Sequence, residues 1–277
     1  NWFESKDLRK NGLYRKERGC SSPCNNKIRR MKILLTNDDG IESEITRALF
    51  ESLKEKHEVT LIAPEKDKSG QGAAITLRTS VEVNKLDDNV YSVGGTPADC
   101  IFMGLMAIMK ELPDIVVSGI NRGANMGDDV IHSGTLGAAL TARKLRYPPI
   151  AVSISGKSFE NFQSSIIATE LMLDYIVQNY SDEHHGGLVF NMNVPNLEFV
   201  DIVNFSFISL GTRGMPLAPE FNGSGDKLSY KIGKAGKPAG DLTGTDFEAI
   251  RANKISVTPL YWDMTDLSKK KGKLPDV

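Results

Sequence analysis

From residue 31 onward the chain alternates short apolar runs with longer amphipathic segments, and this rhythm constrains the fold more than any other feature. Residues 31–37 (MKILLTN), 58–63 (EVTLIA), 114–118 (DIVVS), 149–154 and 187–194 are apolar runs of strand length bounded by turn residues. Such runs suit strands buried on both faces of a parallel sheet. Between them, residues 43–56 place Ile45, Leu49 and Leu53 four residues apart with charges between, and Ser43 stands where a helix cap belongs. Residues 135–145 and 159–179 read as further helices. Thr96-Pro97-Ala98-Asp99 is a helix start, with a hydroxyl cap, a proline in the first turn and an acid behind it. The helix it opens, 97–110, is apolar nearly all round, which predicts deep burial or a subunit contact.

Residues 76–86 and 89–93 alternate like strands at a sheet edge. The strand–helix alternation predicts an α/β fold: a Rossmann-like, mainly parallel sheet with helices on both faces, spanning residues 31–200. Beyond residue 200 the rhythm weakens and glycine becomes frequent. Strands are expected at 202–209, 227–232 and 255–260, so residues 201–277 read as an irregular, β-rich extension suited to oligomerisation.

Residues 1–30 differ from the rest. They carry nine Lys/Arg against three Asp/Glu and show no sustained apolar period. They read as a basic, disordered tail without a secretory leader. Cys20 and Cys24 fall here at a spacing loose for zinc and without a second Cys/His pair nearby, so they are left unassigned. Across the whole chain 34 basic residues meet 35 acidic ones. That balance argues against a dedicated nucleic-acid binder and against a polybasic membrane anchor. No apolar run reaches membrane-spanning length. Cys100 lies inside an apolar helix and reads as core, and His184-His185 reads as a solvated linker.

Three polar loops follow the first, second and third buried strands: Asn37-Asp38-Asp39-Gly40, Glu65 to Gly70, and Ser118-Gly119-Ile120-Asn121-Arg122-Gly123. Parallel strands deliver such loops to one edge of the sheet, where open α/β folds bind ligands. Alone, Asn-Asp-Asp-Gly is also a plain turn sequence. Two adjacent carboxylates repel, and a hard divalent cation such as Mg2+ or Mn2+ resolves the conflict. Ser69 and Asn121 offer neutral oxygens to the same ion. The long third loop continues to His132-Ser133-Gly134-Thr135-Leu136-Gly137, a turn that opens a helix and suits an anion. Ordinary helix capping explains the same residues. Neither a Walker A loop nor a Gly-x-Gly-x-x-Gly turn after the first strand is present, which argues against a dinucleotide cofactor. No nucleophile elbow is visible, so a covalent triad is not expected.

Taken together, these pieces resemble the SurE family, the stationary-phase survival proteins that act as metal-dependent nucleotide phosphatases. The resemblance rests on residues 31–40, Ala63-Pro64 through Ser69-Gly70, Gly95 to Cys100, Ser118 to Asn121 with Gly123 and Asn125, Ser133-Gly134-Thr135, and Ser256 to Leu260. It implies one divalent metal (Mg2+, Mn2+ or Co2+) held by Asp38, Asp39, Ser69 and Asn121. It implies hydrolysis of nucleoside 5′- and 3′-monophosphates, with polyphosphate a further substrate in some members. Asp38, Asp39, Asn121, Ser133 and Thr135 are then the catalytic candidates. Asn37, Ser69, Gly70, Asn121, Gly123, Ser133, Gly134 and Thr135 are the candidates for phosphate contacts. The resemblance also implies a cytoplasmic homodimer or homotetramer whose extension exchanges between subunits. Two places depart from the family pattern: His132, where an aromatic residue is common, and Leu210-Gly211-Thr212-Arg213-Gly214.

Two other readings remain at this level. A nucleotide or phosphate sensor on the same fold would explain the anion-binding turn without catalysis. A nucleic-acid binder using the basic tail would bind with a steep salt dependence.

Overall fold

The computed structural model describes residues 30–180, 185–224 and 228–265. The basic tail up to residue 29, Cys20, Cys24 and His184 lie outside the described residues. The chain runs β1 (Lys32–Thr36), α1 (Glu44–Lys54), β2 (Glu58–Pro64), β3 (Val83–Asp87), β4 (Val90–Val93) and α2 (Pro97–Met103). It continues through β5 (Ile115–Arg122), α3 (Gly134–Thr141), β6 (Ile150–Ser155), α4 (Phe162–Asn179), β7 (Leu188–Pro195) and β8 (Phe205–Phe207). The two-residue strands β9 (Thr212–Arg213), β10 (Glu220–Phe221), β11 (Tyr230–Lys231) and β12 (Pro238–Ala239) follow, then α5 (Asp246–Arg251) and β13 (Ile255–Tyr261).

One nine-stranded sheet organises the molecule, in the order β3-β4-β2-β1-β5-β6-β7-β13-β8. The pairings from β4 through β7 are parallel. Only β3 against β4 and β13 against β7 are antiparallel. The α/β reading and the mainly parallel sheet are therefore what the structure shows. The continuous apolar runs follow from burial on both faces. Ile33 and Leu35 of β1 pack with α1 and α4, whereas Leu34 packs with α2 on the opposite face. Ile115 and Val117 of β5 join the first cluster and Val116 the second. No helix among the described residues is long and apolar enough to cross a membrane.

Helix starts follow the sequence closely. Ser43 caps α1 by accepting from Thr46 N. Thr96 and Asp99 form a reciprocal box at α2: Asp99 N donates to Thr96 Oγ1 at 3.1 Å and Thr96 N donates to Asp99 Oδ2 at 2.9 Å. Burial opposes ionisation of Asp99, but donors from Thr76 and Thr96 hold its carboxyl below the usual range.

The expected strand over 76–86 shrinks to β3. Thr76 N donates to Asp99 Oδ1 at 2.9 Å, and Thr96 Oγ1 donates to Ala74 O at 2.6 Å. Residues 74–76 thus meet the start of α2 through side chains instead of joining a ladder. The helix expected over 97–110 is also revised. It is α-helical to Met103 and widens into a π turn over Gly104–Ile108. Only its inner side is buried, and Phe102 and Met106 are exposed. Gly104 packs directly on β1, since a Cβ there would lie 2.3 Å from Leu34 Cδ1.

The chain beyond residue 200 returns to the main sheet. β13 pairs along β7 from Ser256↔Asn193 to Tyr261↔Leu188, and β8 closes the edge as a three-residue strand in place of the expected 202–209. The expected strand at 227–232 is reduced, among described residues, to Tyr230–Lys231 in a two-stranded ribbon with β10.

Candidate active site

The sheet order reverses at β1, with β2 on one side and β5 on the other. Loops after β1 and β5 therefore diverge and leave a crevice at the carboxyl edge, the usual ligand position of open α/β sheets. The loop after β2 joins them. Lys68 N donates to Asp38 O and Ile41 N to Pro64 O, each at 2.8 Å. Gly40 is required for this approach: its φ is +101° and a Cβ would lie 3.1 Å from the Lys66 carbonyl carbon.

Asn37 builds this turn. Its Nδ2 donates to Gly40 O at 2.8 Å and to Thr46 Oγ1 at 2.9 Å, and its Oδ1 accepts from Gly40 N at 3.1 Å. The side chain is fully buried. Both amide atoms are engaged within the loop, so Asn37 shapes the turn that carries Asp38.

Asp38 is buried and faces the start of α3. Its Oδ1 accepts from Thr135 Oγ1 at 2.7 Å. Gly134 leaves room for it, since a Cβ there would come within 2.8 Å of Asp38 Oδ2. The first turn of α3, expected to take a phosphate, thus already receives a carboxylate of the chain itself. Thr135 is fully buried and its hydroxyl donates to Asp38, which orients that carboxylate. Ser133 caps α3 by accepting from Leu136 N at 3.1 Å. Its hydroxyl hydrogen is left for another acceptor, and the residue lines the cleft.

Asp39 is half-buried and accepts from Arg122 N at 3.2 Å. Burial, and then the charge of Asp38, push its carboxyl up to about 6. Burial raises Asp38 as well, against the bonds from Thr135. Asp67 contributes repulsion to both. Sequence reasoning passed over this third acid, although it lies two residues before Ser69.

β5 runs past the expected end at residue 118 to Arg122, with a register shift against β6 between Ser118 and Asn121. Gly119 makes the irregularity possible, at φ +136° and with a virtual Cβ 2.3 Å from Val152 O. Asn121 emerges at the strand end. Its Nδ2 donates to Gly123 O at 2.7 Å, which leaves Oδ1 as the atom it can offer.

Asp38, Ser69, Gly70, Asn121, Gly123 and Ser133 line one cleft of about 660 Å³ with Arg122, Ala124, Asn125, Asp129 and His132. Pro216, Ile232, Gly233 and Ala235 of the chain between β9 and β12 close its other side. The three loops read from the sequence do meet. No cluster of three or more His, Cys, Asp or Glu side chains suited to a metal occurs among the described residues. Of the four expected ligands, Asp38, Ser69 and Asn121 line the cleft, while Asp39, next to Asp38 on the same loop, is not among the lining residues. Carboxylate and neutral oxygens make a hard set that fits Mg2+ or Mn2+ better than zinc.

The floor beneath the cleft carries residues the sequence reading missed. Asn125 N donates to Asn193 Oδ1 at 2.8 Å, and Asn125 O accepts from Asn191 Nδ2 and Asn193 Nδ2, each at 2.9 Å. The Asn125 amide donates to Ser153 Oγ at 2.8 Å. Two asparagines at alternate positions of an otherwise apolar buried strand were the available signal. On the outer side, Asp246 accepts from Gly127 N at 2.7 Å and Gly211 N at 3.0 Å. Arg213 pairs with Asp129 at 3.3 Å and lies 4.9 Å over the Phe247 ring. The Leu210–Gly214 segment therefore clamps the loop after β5. Away from the site, Cys100 is core as expected and burial pushes its thiol up. His185 is not a solvated linker: its Nε2 lies 2.9 Å from Leu145 O.

The fold and site together define an α/β protein with polar loops gathered around a carboxylate pair at the switch of strand order. The profile of the family described as survival protein SurE matches residues 33–215. A protein of Legionella pneumophila (strain Corby) named 5′-nucleotidase SurE is 38% identical over 238 residues, 85% of this chain and 92% of that one. One of the same name from Xanthomonas campestris pv. campestris (strain B100) is 37% identical over 240 residues, 85% of this chain and 91% of its own. The crystal structure of the SurE protein from Aquifex aeolicus superposes with a TM-score of 0.74 at 33% identity, covering 87% of this chain and 97% of that one. The chain belongs to the SurE family.

Proposed function

We propose that this chain is a metal-dependent phosphomonoesterase that hydrolyses nucleoside 5′- and 3′-monophosphates to nucleoside and phosphate. The observation that carries the proposal is the Asp38–Asp39 pair. Burial raises both carboxyls, the charge of Asp38 raises Asp39 further, and Asp38 lines a cleft that Ser69 and Asn121 of two other loops also line. Asp38, Asp39, Ser69 and Asn121 would hold one divalent cation, Mg2+, Mn2+ or Co2+. Such a cation, when bound, polarises a phosphoryl oxygen and makes water more acidic.

The rest of the chemistry belongs to the chain. Thr135 and the first turn of α3 aim Asp38. Arg122 N fixes one oxygen of Asp39 and leaves the other to orient the attacking water and take its proton. Ser133 and the polar wall at Asn121–Gly123 hold phosphoryl oxygens as charge moves to the leaving group. Pro216 and Ile232 offer an apolar surface to the base. The relatives named 5′-nucleotidase support the same substrate class. A cytoplasmic home and a homodimer or homotetramer belong to the proposal. Exposed Met215, Leu217, Phe221, Leu228, Tyr230 and Ile232 support the oligomer, since so much apolar surface in one arm suits a partner subunit.

The test is phosphate release from a panel of nucleoside monophosphates and short polyphosphate with Mg2+, Mn2+ or Co2+, then with chelator. Release that needs metal and stops with chelator is expected. Nucleotide binding by folded protein without release under any metal would instead assign a sensor.

A further inference from the structure

His132 lines the cleft, and the chemistry above leaves it unused. It closes the short 3-10 helix Asp128–His132, and its backbone is fixed on both sides. Its carbonyl accepts from Gly72 N at 3.1 Å, and Ser133 N donates back to Val130 O at 3.1 Å. The next residue, Ser133, caps α3. The side chain is exposed and has no hydrogen-bond or ion-pair partner among the described residues. A rigid backbone thus presents a free imidazole one residue from a wall assigned to the phosphate.

Breaking the bond between phosphorus and a nucleoside oxygen leaves an alkoxide, which needs a proton as it departs. The other chargeable side chains lining the cleft are Asp38, Arg122 and Asp129. Asp38 accepts from Thr135, and Asp129 is paired with Arg213. A guanidinium does not release its protons. Asp39 and Asp67, on the loops after β1 and β2, are carboxylates and are not among the lining residues. Imidazole is the side chain type that both holds and gives a proton near neutrality.

We infer that His132 is a catalytic residue, the general acid for the leaving oxygen; this rests on the phosphomonoesterase reading. In the step, the oxygen of water bonds to phosphorus while the bond from phosphorus to the nucleoside oxygen breaks. The electron pair of that bond stays on the leaving oxygen, which takes the proton of the His132 imidazolium. The attacking water gives a proton to Asp39, and solvent restores both side chains. One water and one ester become one nucleoside and one phosphate.

Leaving-group dependence tests the assignment. Wild type, His132→Asn and His132→Gln are compared with Mn2+ on a nucleoside 5′-monophosphate and on p-nitrophenyl phosphate, whose phenolate needs no proton to depart. Circular dichroism confirms folding, and Mn2+ titration reports the metal site. Expected is a fall in kcat of about 100-fold or more on the nucleotide, a far smaller fall on the aryl ester, and unchanged Mn2+ affinity. Equal losses on both esters, or none on either, would overturn the assignment. A matching loss of Mn2+ affinity would overturn it too, by making His132 part of the metal site. Failure of the phosphomonoesterase reading looks different: wild type would then release phosphate from neither ester.

Discussion

At the scale of single residues, the adjacent aspartates have separate duties. Asp38 is held by Thr135 and the first turn of α3, whereas Asp39 keeps one oxygen free of protein donors. The raised value of Asp39, about 6, means that the fold favours its neutral form. The favourable contribution is complete below the ordinary carboxylate value and is lost as pH rises through about 6. Asp39→Asn is therefore expected to melt higher than wild type near pH 7 when both are metal-free, with the gap closing toward pH 4. For a chain of this size about 1 kcal/mol moves the midpoint by roughly 2–4 °C. The same variant is expected to lose metal-dependent phosphate release by at least about 100-fold. Melting curves with chelator and then with Mn2+ check both halves, since metal should stabilise wild type alone. Thr135→Val keeps the volume and removes the hydroxyl that Asp38 accepts from. It is expected to cost about 1–3 kcal/mol in urea denaturation and to lower kcat more than it raises KM.

At the scale of elements, strands buried on both faces were legible because burial makes them continuously apolar. β1, β2, β6 and β7 fall within a residue or two of the reading. What escaped was decided by tertiary hydrogen bonds. Residues 74–76 look like a strand but are bound to the start of α2 through Asp99 and Thr96. β5 continues past Gly119, a residue that reads as a strand end. The asparagines of β7 lie under the loop after β5, a pairing that only the folded sheet reveals. Asn193→Ala is expected to leave Asn125 N without its acceptor and Asn125 O with Asn191 Nδ2 alone, costing about 1–3 kcal/mol. Denaturation measures the cost, and Mn2+ titration of the folded variant should show weaker binding.

The entry to β1 carries a pH effect of opposite sign to that of Asp39. Met31 N donates to His57 Nδ1 at 3.4 Å, an acceptor present only in neutral imidazole. Burial, then Lys56, lowers the His57 value against an opposing pull from Glu170. A lowered histidine supports the fold fully above its ordinary value of 6.5 and loses that support as pH falls below it. The urea midpoint of wild type is therefore expected to drop between pH 8 and pH 5 by more than that of His57→Gln. Parallel curves for the two proteins would contradict this.

On the scale of the whole molecule, the chain after β7 does two things. Its last strand completes the main sheet, while Asp246 and Arg213 grip the loop that carries the cleft wall. Between these fixed points, residues 214–237 carry the exposed apolar side chains. This part was legible only in outline, as weak periodicity and frequent glycine. Two-residue strands leave almost no pattern to read. Phe221 and Tyr230 pack with ring centroids 5.3 Å apart and planes tilted by 59° on the ribbon of β10 and β11, yet both remain exposed. An aromatic pair left open in this way suits contact with a second copy of the chain. For the proposed oligomer, Phe221→Ser with Tyr230→Ser is expected to lower the mass measured by light scattering toward that of one chain. The circular dichroism spectrum should not change, because neither ring belongs to the clusters that hold the sheet. If the oligomer persisted in the double variant, the arm would not be its seam, and the exposed face of Phe102 and Met106 on the helix after β4 would be the next surface to alter.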